Sequence, residues 1–167
     1  LCNSLVQVID DRGEEIRIYD SKLIAARESE RPSERFSVCI LKSHRNSEVF
    51  ALIRRSALER VQQMGPYHNS DKVIIAELSL LGRFLQIDEP LVANREHQKR
   101  ATSAVVRAAW AAHHDSKGGS WNRFGHLMVY RDYVRMVHRH MKDWRERRNA
   151  YASLIRWWGA HSNLMTF

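Results

Sequence analysis

Cysteine is nearly absent from this chain: Cys2 and Cys39 are the only two among 167 residues. Two such residues build neither a disulfide framework nor a zinc-ligand pattern. Their scarcity fits a reducing, cytoplasmic setting. Cys39 lies in an apolar helical pattern, where a thiol serves as a small core side chain. No uninterrupted apolar run is long enough to form a transmembrane helix. The first residues lack the basic and apolar regions of a signal peptide. There is no glycine-rich phosphate loop, and no helix-turn-helix, zinc-finger or RNA-binding signature. The sequence opens on Leu1 rather than Met, as expected of a fragment or a processed product.

What is present is enough apolar residue for one domain with a real core, at 44% of the chain. The net charge is +8, and it is uneven. Residues 95–167 hold 14 Lys/Arg against 5 Asp/Glu, whereas residues 1–94 hold 13 against 14. A basic tail of this kind suits phosphates, anionic lipid or nucleic acid.

The most strongly patterned stretch is Asn69-Ser-Asp-Lys-Val-Ile-Ile-Ala-Glu-Leu-Ser-Leu-Leu-Gly82. Asn69 or Ser70 can cap a helix N-terminus. Val73, Ile74, Leu78 and Leu81 fall at helical spacing, and Ile75 and Leu80 widen the apolar face. Gly82 supplies a left-handed stop. Asp71 sits in the first turn, where the helix dipole favours a carboxylate. Glu77 points inward or sideways and suits pairing with an arginine.

Leu5–Tyr19 reads as a β-hairpin around Asp10-Asp-Arg-Gly13, with Gly13 free to take positive φ. Asp10 and Asp11 are adjacent carboxylates, but on a turn Asp is first of all a turn residue. Residues 21–32 read as loop or frayed helix. A helix follows, with Ser33 as its N-cap and Phe36, Ile40 and Leu41 on one face. Val49–Ile53 reads as a strand, and Ser56–Met64 as a short helix stopped at Gly65-Pro66. Phe84–Ile87 is a predicted strand, Asp88-Glu-Pro90 a turn, and Leu91–Asn94 a second strand. If that strand continues, Arg95 and His97 point to one side and Glu96 to the other.

Residues 98–114 form an alanine-rich helical stretch anchored by Trp110, and 115–120 a flexible linker. Two long amphipathic patterns, Trp121–Met141 and Asp143–Leu164, are expected to pair antiparallel. Phe124, Leu127, Met128, Tyr130, Val134 and Val137 line the first. Ala150, Tyr151, Leu154, Ile155, Trp157 and Trp158 line the second. His138 and His140 are two apart and do not share a helix face as a metal pair would. Arginines beside tryptophans in this tail fit a helix at a membrane interface, and they also fit packing on a missing domain.

The segments around the patterned helix, in order, are Glu48-Val-Phe-Ala-Leu-Ile-Arg-Arg-Ser-Ala-Leu58, Met64-Gly-Pro-Tyr67, the helix, Arg83–Leu91 and Arg95-Glu-His97. This order resembles the second half of the family 2 glycosyltransferases, the inverting GT-A enzymes of bacterial polysaccharide assembly. The resemblance covers residues 5–100 well and the tail loosely. Two departures stand out. Asn46 is followed by Ser47-Glu48 where the family often has proline, and Ala51 stands at a family glycine.

The resemblance implies an α/β domain, α+β in this chain. It would be an incomplete GT-A domain over residues 1–97, followed by a basic helical extension over 98–167. It implies that Asp71 is the general base. Arg95 and His97 would steady the nucleotide diphosphate, with His97 at a divalent metal, Mg²⁺ or Mn²⁺. The partners implied are a nucleotide-sugar donor and a glycan or lipid-linked acceptor. The family's nucleotide-binding half, with its aspartate-rich metal motif, is not in this sequence, so the chain alone is expected to be inactive. Two other classes remain open. One is a binding module whose basic helices engage the inner face of an anionic membrane, with nucleic acid less favoured. The other is a self-associating scaffold.

Overall fold

The computed structural model describes residues 1–65, 67, 69–97 and 125–161. The predicted helix over 98–114 with Trp110, the linker 115–120, His68, Pro66, Phe124 and the chain beyond His161 lie outside the described residues.

The hairpin forms as its alternation requires. β1 (Cys2–Ile9) pairs antiparallel with β2 (Glu15–Tyr19). Gly13 takes φ +92° in the turn, where a residue without Cβ meets no steric cost. The Asp10 carboxylate accepts the N–H groups of Arg12 and Glu14 at 2.8 and 2.9 Å. Asp10 is thus a turn-forming residue.

β3 (Leu85–Arg95) lies on the other side of β1, parallel to it, giving the order β2-β1-β3. The predicted strand, turn and strand over 84–94 are therefore one strand. At the expected turn the chain bulges instead. Ser4 faces Ile87, Leu5 faces Pro90 and Val6 faces Val92. A proline and extra residues are tolerated there because β3 is an edge.

Between β2 and β3 come α1 (Ile24–Glu28), α2 (Pro32–Leu41), a 3-10 turn (Ser47–Phe50), α3 (Arg55–Leu58) and α4 (Ser70–Leu81). The predicted strand Val49–Ile53 is not formed. Asn46 is left-handed at φ 58° and turns the chain into the 3-10 segment. Only Leu52 reaches the sheet, exchanging both backbone bonds with Cys2 at 2.9 Å. The helix expected over Ser56–Met64 is the single turn of α3. In α2, Arg31 and not Ser33 holds the N-cap position, with Pro32 in the first turn; its fixed φ suits that place.

α4 is buried all round: every residue from Val73 to Leu80 is shielded from solvent. Both predicted ends differ in detail. Asn69 is left-handed and its side chain makes no capping bond, because such capping needs extended backbone at that position. Gly82 is extended at φ 176°, not left-handed, so the chain leaves α4 straight.

α5 (Gly125–His140) and α6 (Trp144–His161) complete the core. They run antiparallel: His126 meets His161, while His138 meets Tyr151. Val129, Tyr133, Met136, Val137, Leu154 and Trp157 join Phe36, Ile75 and Leu78 in one cluster. The Tyr133 ring stands edge-on to both Phe36, at 5.8 Å, and Trp157, at 5.5 Å. Buried Arg35 serves backbone rather than carboxylates, donating to the carbonyls of Ser79, Ser29 and Glu30 at 2.7–3.0 Å. Cys39 is buried in this region, and burial pushes its thiol up to about 12.

Among the described residues the architecture is α+β, with a three-stranded mixed sheet and six helices. The core lies among the helices. In the sheet only Val6 and Val8 are buried, while Ile16, Ile18, Leu85, Ile87 and Leu91 stay exposed.

Candidate functional site

The first turn of α4 presents Asp71, half-buried. One of its oxygens accepts the N–H of Lys72 at 2.9 Å. No other hydrogen bond and no ion pair holds this carboxylate among the described residues. It stands in the first turn of a buried helix, the end toward which the helix's backbone N–H groups point. Burial raises the pKa of the adjacent core hydroxyl of Tyr133, and the charge of Asp71 adds to that effect.

Tyr67, in the turn leading to α4, donates its hydroxyl to Asp132 of α5. Burial and that acceptor both raise the Tyr67 pKa. Asp132 is itself buried and draws Arg131 to 3.0 Å and Arg135 to 3.5 Å. The entry to α4 is thus pinned to α5 by a tyrosine–aspartate–arginine chain, with Asp71 left outside it. The Tyr67–Asp132 link spans 65 residues, and no local pattern announces it.

Glu77 is the fully buried acid of α4. It accepts the N–H of Gln62 at 2.9 Å and contacts Arg139 at 3.1 Å and His140 Nε2 at 2.7 Å. The expected arginine partner is present, joined by a histidine. All four groups are satisfied, so this arrangement fastens α4 to α5.

A third polar group spans the 3-10 turn and the loop before it. Glu48 and Asn46 are buried, yet neither carboxylate oxygen and neither amide atom makes a hydrogen bond. His44 Nδ1 stands 3.5 Å from Glu48, close enough for an ion pair but long for a hydrogen bond. Burial works to raise the Glu48 pKa, but the neighbouring His44 and Ser21 outweigh it and hold the carboxyl below its ordinary value.

Arg95 and His97 lie at the exposed end of β3. Arg95 donates to the carbonyls of Asp10 and Asp11 at 2.9 and 2.8 Å, closing the hairpin turn. β3 ends at Arg95, so the strand does not carry His97. Glu96 bridges Arg17, at 3.0 Å, and Arg45. No hydrogen bond or ion pair joins Asp71 to Arg95 or His97 among the described residues. Mg²⁺ and Mn²⁺ take several oxygen or imidazole ligands. His97 offers one beside a cation, and no group of three His, Cys, Asp or Glu gathers among the described residues. These residues by themselves do not make a complete metal centre. An open groove of about 580 Å³ lies elsewhere, between α1, α2 and α6, lined by Arg31, Glu34, Lys42 and Asn149 among others. None of the three predicted site residues lines it.

No family profile, no curated protein and no solved structure matches this chain. Among the described residues no helix is long and apolar enough to cross a membrane.

Proposed function

We propose that this chain is the acceptor-side portion of an inverting, nucleotide-sugar-dependent glycosyltransferase, with the donor-binding half supplied by other sequence. The reading is supported by the order of segments from Glu48 to His97. The observation that carries it is the state of Asp71. It is a carboxylate at the start of a buried helix, engaged by nothing but the next residue's N–H.

In this reading the Asp71 carboxylate takes the proton of an acceptor hydroxyl. The hydroxyl oxygen forms its bond to the sugar's anomeric carbon. The bond from that carbon to the diphosphate oxygen breaks, and its electron pair leaves with the nucleoside diphosphate. A general base of this kind contributes about 10²–10⁴-fold. Arg95 braces the hairpin beside His97, so its part is to hold the end of β3 in place. No step is assigned to His97 or to a metal.

The test supplies a donor-binding domain in trans and measures acceptor-dependent release of nucleoside diphosphate. Release is expected with the wild-type chain and not with Asp71→Asn. Equal release from both would remove Asp71 as the base.

A further inference from the structure

We infer that the outer face of α6 is a docking surface for an anionic lipid bilayer. At 100° per residue, Trp144, Arg145, Arg148, Ala152, Ile155 and Arg156 fall within one arc of roughly 120°. Every one of them is exposed. The opposite arc carries Ala150, Ser153, Leu154 and Trp157, all buried in the core. The helix is therefore anchored on one side and free on the other.

The free side is unusual in two respects. Trp144 is 61% exposed and Ile155 69% exposed. Single exposed apolar residues are ordinary, but these two lie on one line, interleaved with cations. Arg145 and Arg148 flank the Trp144 ring at 5.5 and 5.4 Å. An indole with two guanidinium groups against its ring sits well at the headgroup level, where the ring is half in hydrocarbon and its neighbours meet phosphate.

The charge around this face is one-sided. Residues 125–161 carry eight Lys/Arg and three Asp/Glu. Two of the three acids are engaged inward: Asp132 is buried with Tyr67, and Glu146 binds Arg31 and Ser33 of α2. The third, Asp143, accepts the backbone N–H of Arg145 at the helix start. Lys142, Arg145, Arg148 and Arg156 have no carboxylate partner among the described residues. Unneutralised cations beside exposed apolar side chains match an anionic headgroup layer over acyl chains. Nucleic acid would use the cations but leave Ile155 without a role.

The inference is independent of the glycosyltransferase reading. Its test is cosedimentation of the whole chain with vesicles, either phosphatidylcholine alone or phosphatidylcholine and phosphatidylglycerol in equal parts. Binding is expected to the anionic vesicles only, and it should fall as salt rises. Each basic residue near such a surface contributes roughly fivefold. The double variant R148E/R156E should therefore bind at least about tenfold more weakly. Trp144→Ala and Ile155→Ser should each weaken vesicle binding while leaving affinity for a single-stranded oligonucleotide unchanged. All four positions are exposed, and circular dichroism checks that each variant stays folded. Failure to sediment with anionic vesicles at low salt would overturn the inference. So would vesicle binding unaffected by these substitutions, or an oligonucleotide that binds more tightly than the vesicles and displaces them.

Discussion

Glu146 of α6 accepts the backbone N–H of Ser33 in the first turn of α2 at 2.8 Å, across 113 residues of sequence. Its other oxygen takes Arg31 Nε at 3.0 Å. A helix N-terminus leaves several N–H groups without intrahelical partners. In α2 a side chain from the far end of the chain answers one of them, where a local serine was expected.

Glu146→Ala is expected to destabilise the protein by about 1 kcal/mol, the usual worth of a cap. Urea denaturation measures it. Burial works to raise the Glu146 pKa, but the Ser33 and Arg31 contacts overcome it and the folded-state value is lowered. A lowered carboxylate stabilises the fold above its unfolded value of about 4.3, and that contribution is lost as pH falls through the folded value. The stability gap between wild type and Glu146→Gln should therefore be full at neutral pH and close on acidification below about pH 4.3. A gap that widens in acid would contradict this account.

Glu77 and Arg139 should respond unequally to mutation. Glu77 is fully shielded, while the Arg139 side chain is half in solvent. Glu77→Ala strands the Gln62 N–H and His140 in the interior and is expected to cost about 3 kcal/mol. Arg139→Ala should cost less than about 1 kcal/mol. Equal losses in denaturant titrations would mean that the carboxylate is less isolated than its burial indicates.

Trp157 and Trp158 are neighbours with different surroundings. Trp157 is buried against Tyr133 and stacks with His161 at 4.3 Å. Trp158 is half-buried and leans on Tyr130. Trp157→Ala should cost about 3–5 kcal/mol through the cavity it leaves, and Trp158→Ala clearly less. Thermal unfolding of the two variants ranks them directly.

Asp71→Asn should leave stability within about 0.5 kcal/mol of wild type, because only the Lys72 N–H engages the carboxylate. A large loss would assign Asp71 a structural task and weaken the reading of it as a base.

Elements with one dominant local cause were legible in the sequence. The hairpin follows from alternation and Gly13, α4 from its dense apolar pattern, and the α5–α6 pair from two long amphipathic runs, although Leu127 and Ile155, expected on the apolar faces, are exposed. Glu77 was readable as an inward acid seeking an arginine. The errors share a different cause. Val49–Ile53 has strand-forming residues, but the left-handed Asn46 sets the chain's direction before them. The Asp88–Pro90 signal is real, yet pairing with β1 absorbs it as a bulge. Ser33 and Asn69 looked like caps, while the partner of the α2 N-terminus comes from α6 and Asn69 is left-handed and makes no capping bond. Local propensity says nothing of a partner that distant. At the site, Asp71 was readable as a first-turn acid, whereas the hairpin clamp made by Arg95 depends on the parallel placement of β3.

The all-round burial of α4 constrains the order of events during synthesis. The segment Val73–Leu80 is made some fifty residues before the helices that cover it. Until α5 and α6 emerge, α4 has only α2, the 3-10 turn and the single turn of α3 to pack on. A nascent chain at that stage exposes its most apolar helix to the ribosome surface and to chaperones. Folding of the centre therefore waits for the basic C-terminal helices, and a ribosome stalled before Gly125 would hold out a ready chaperone substrate.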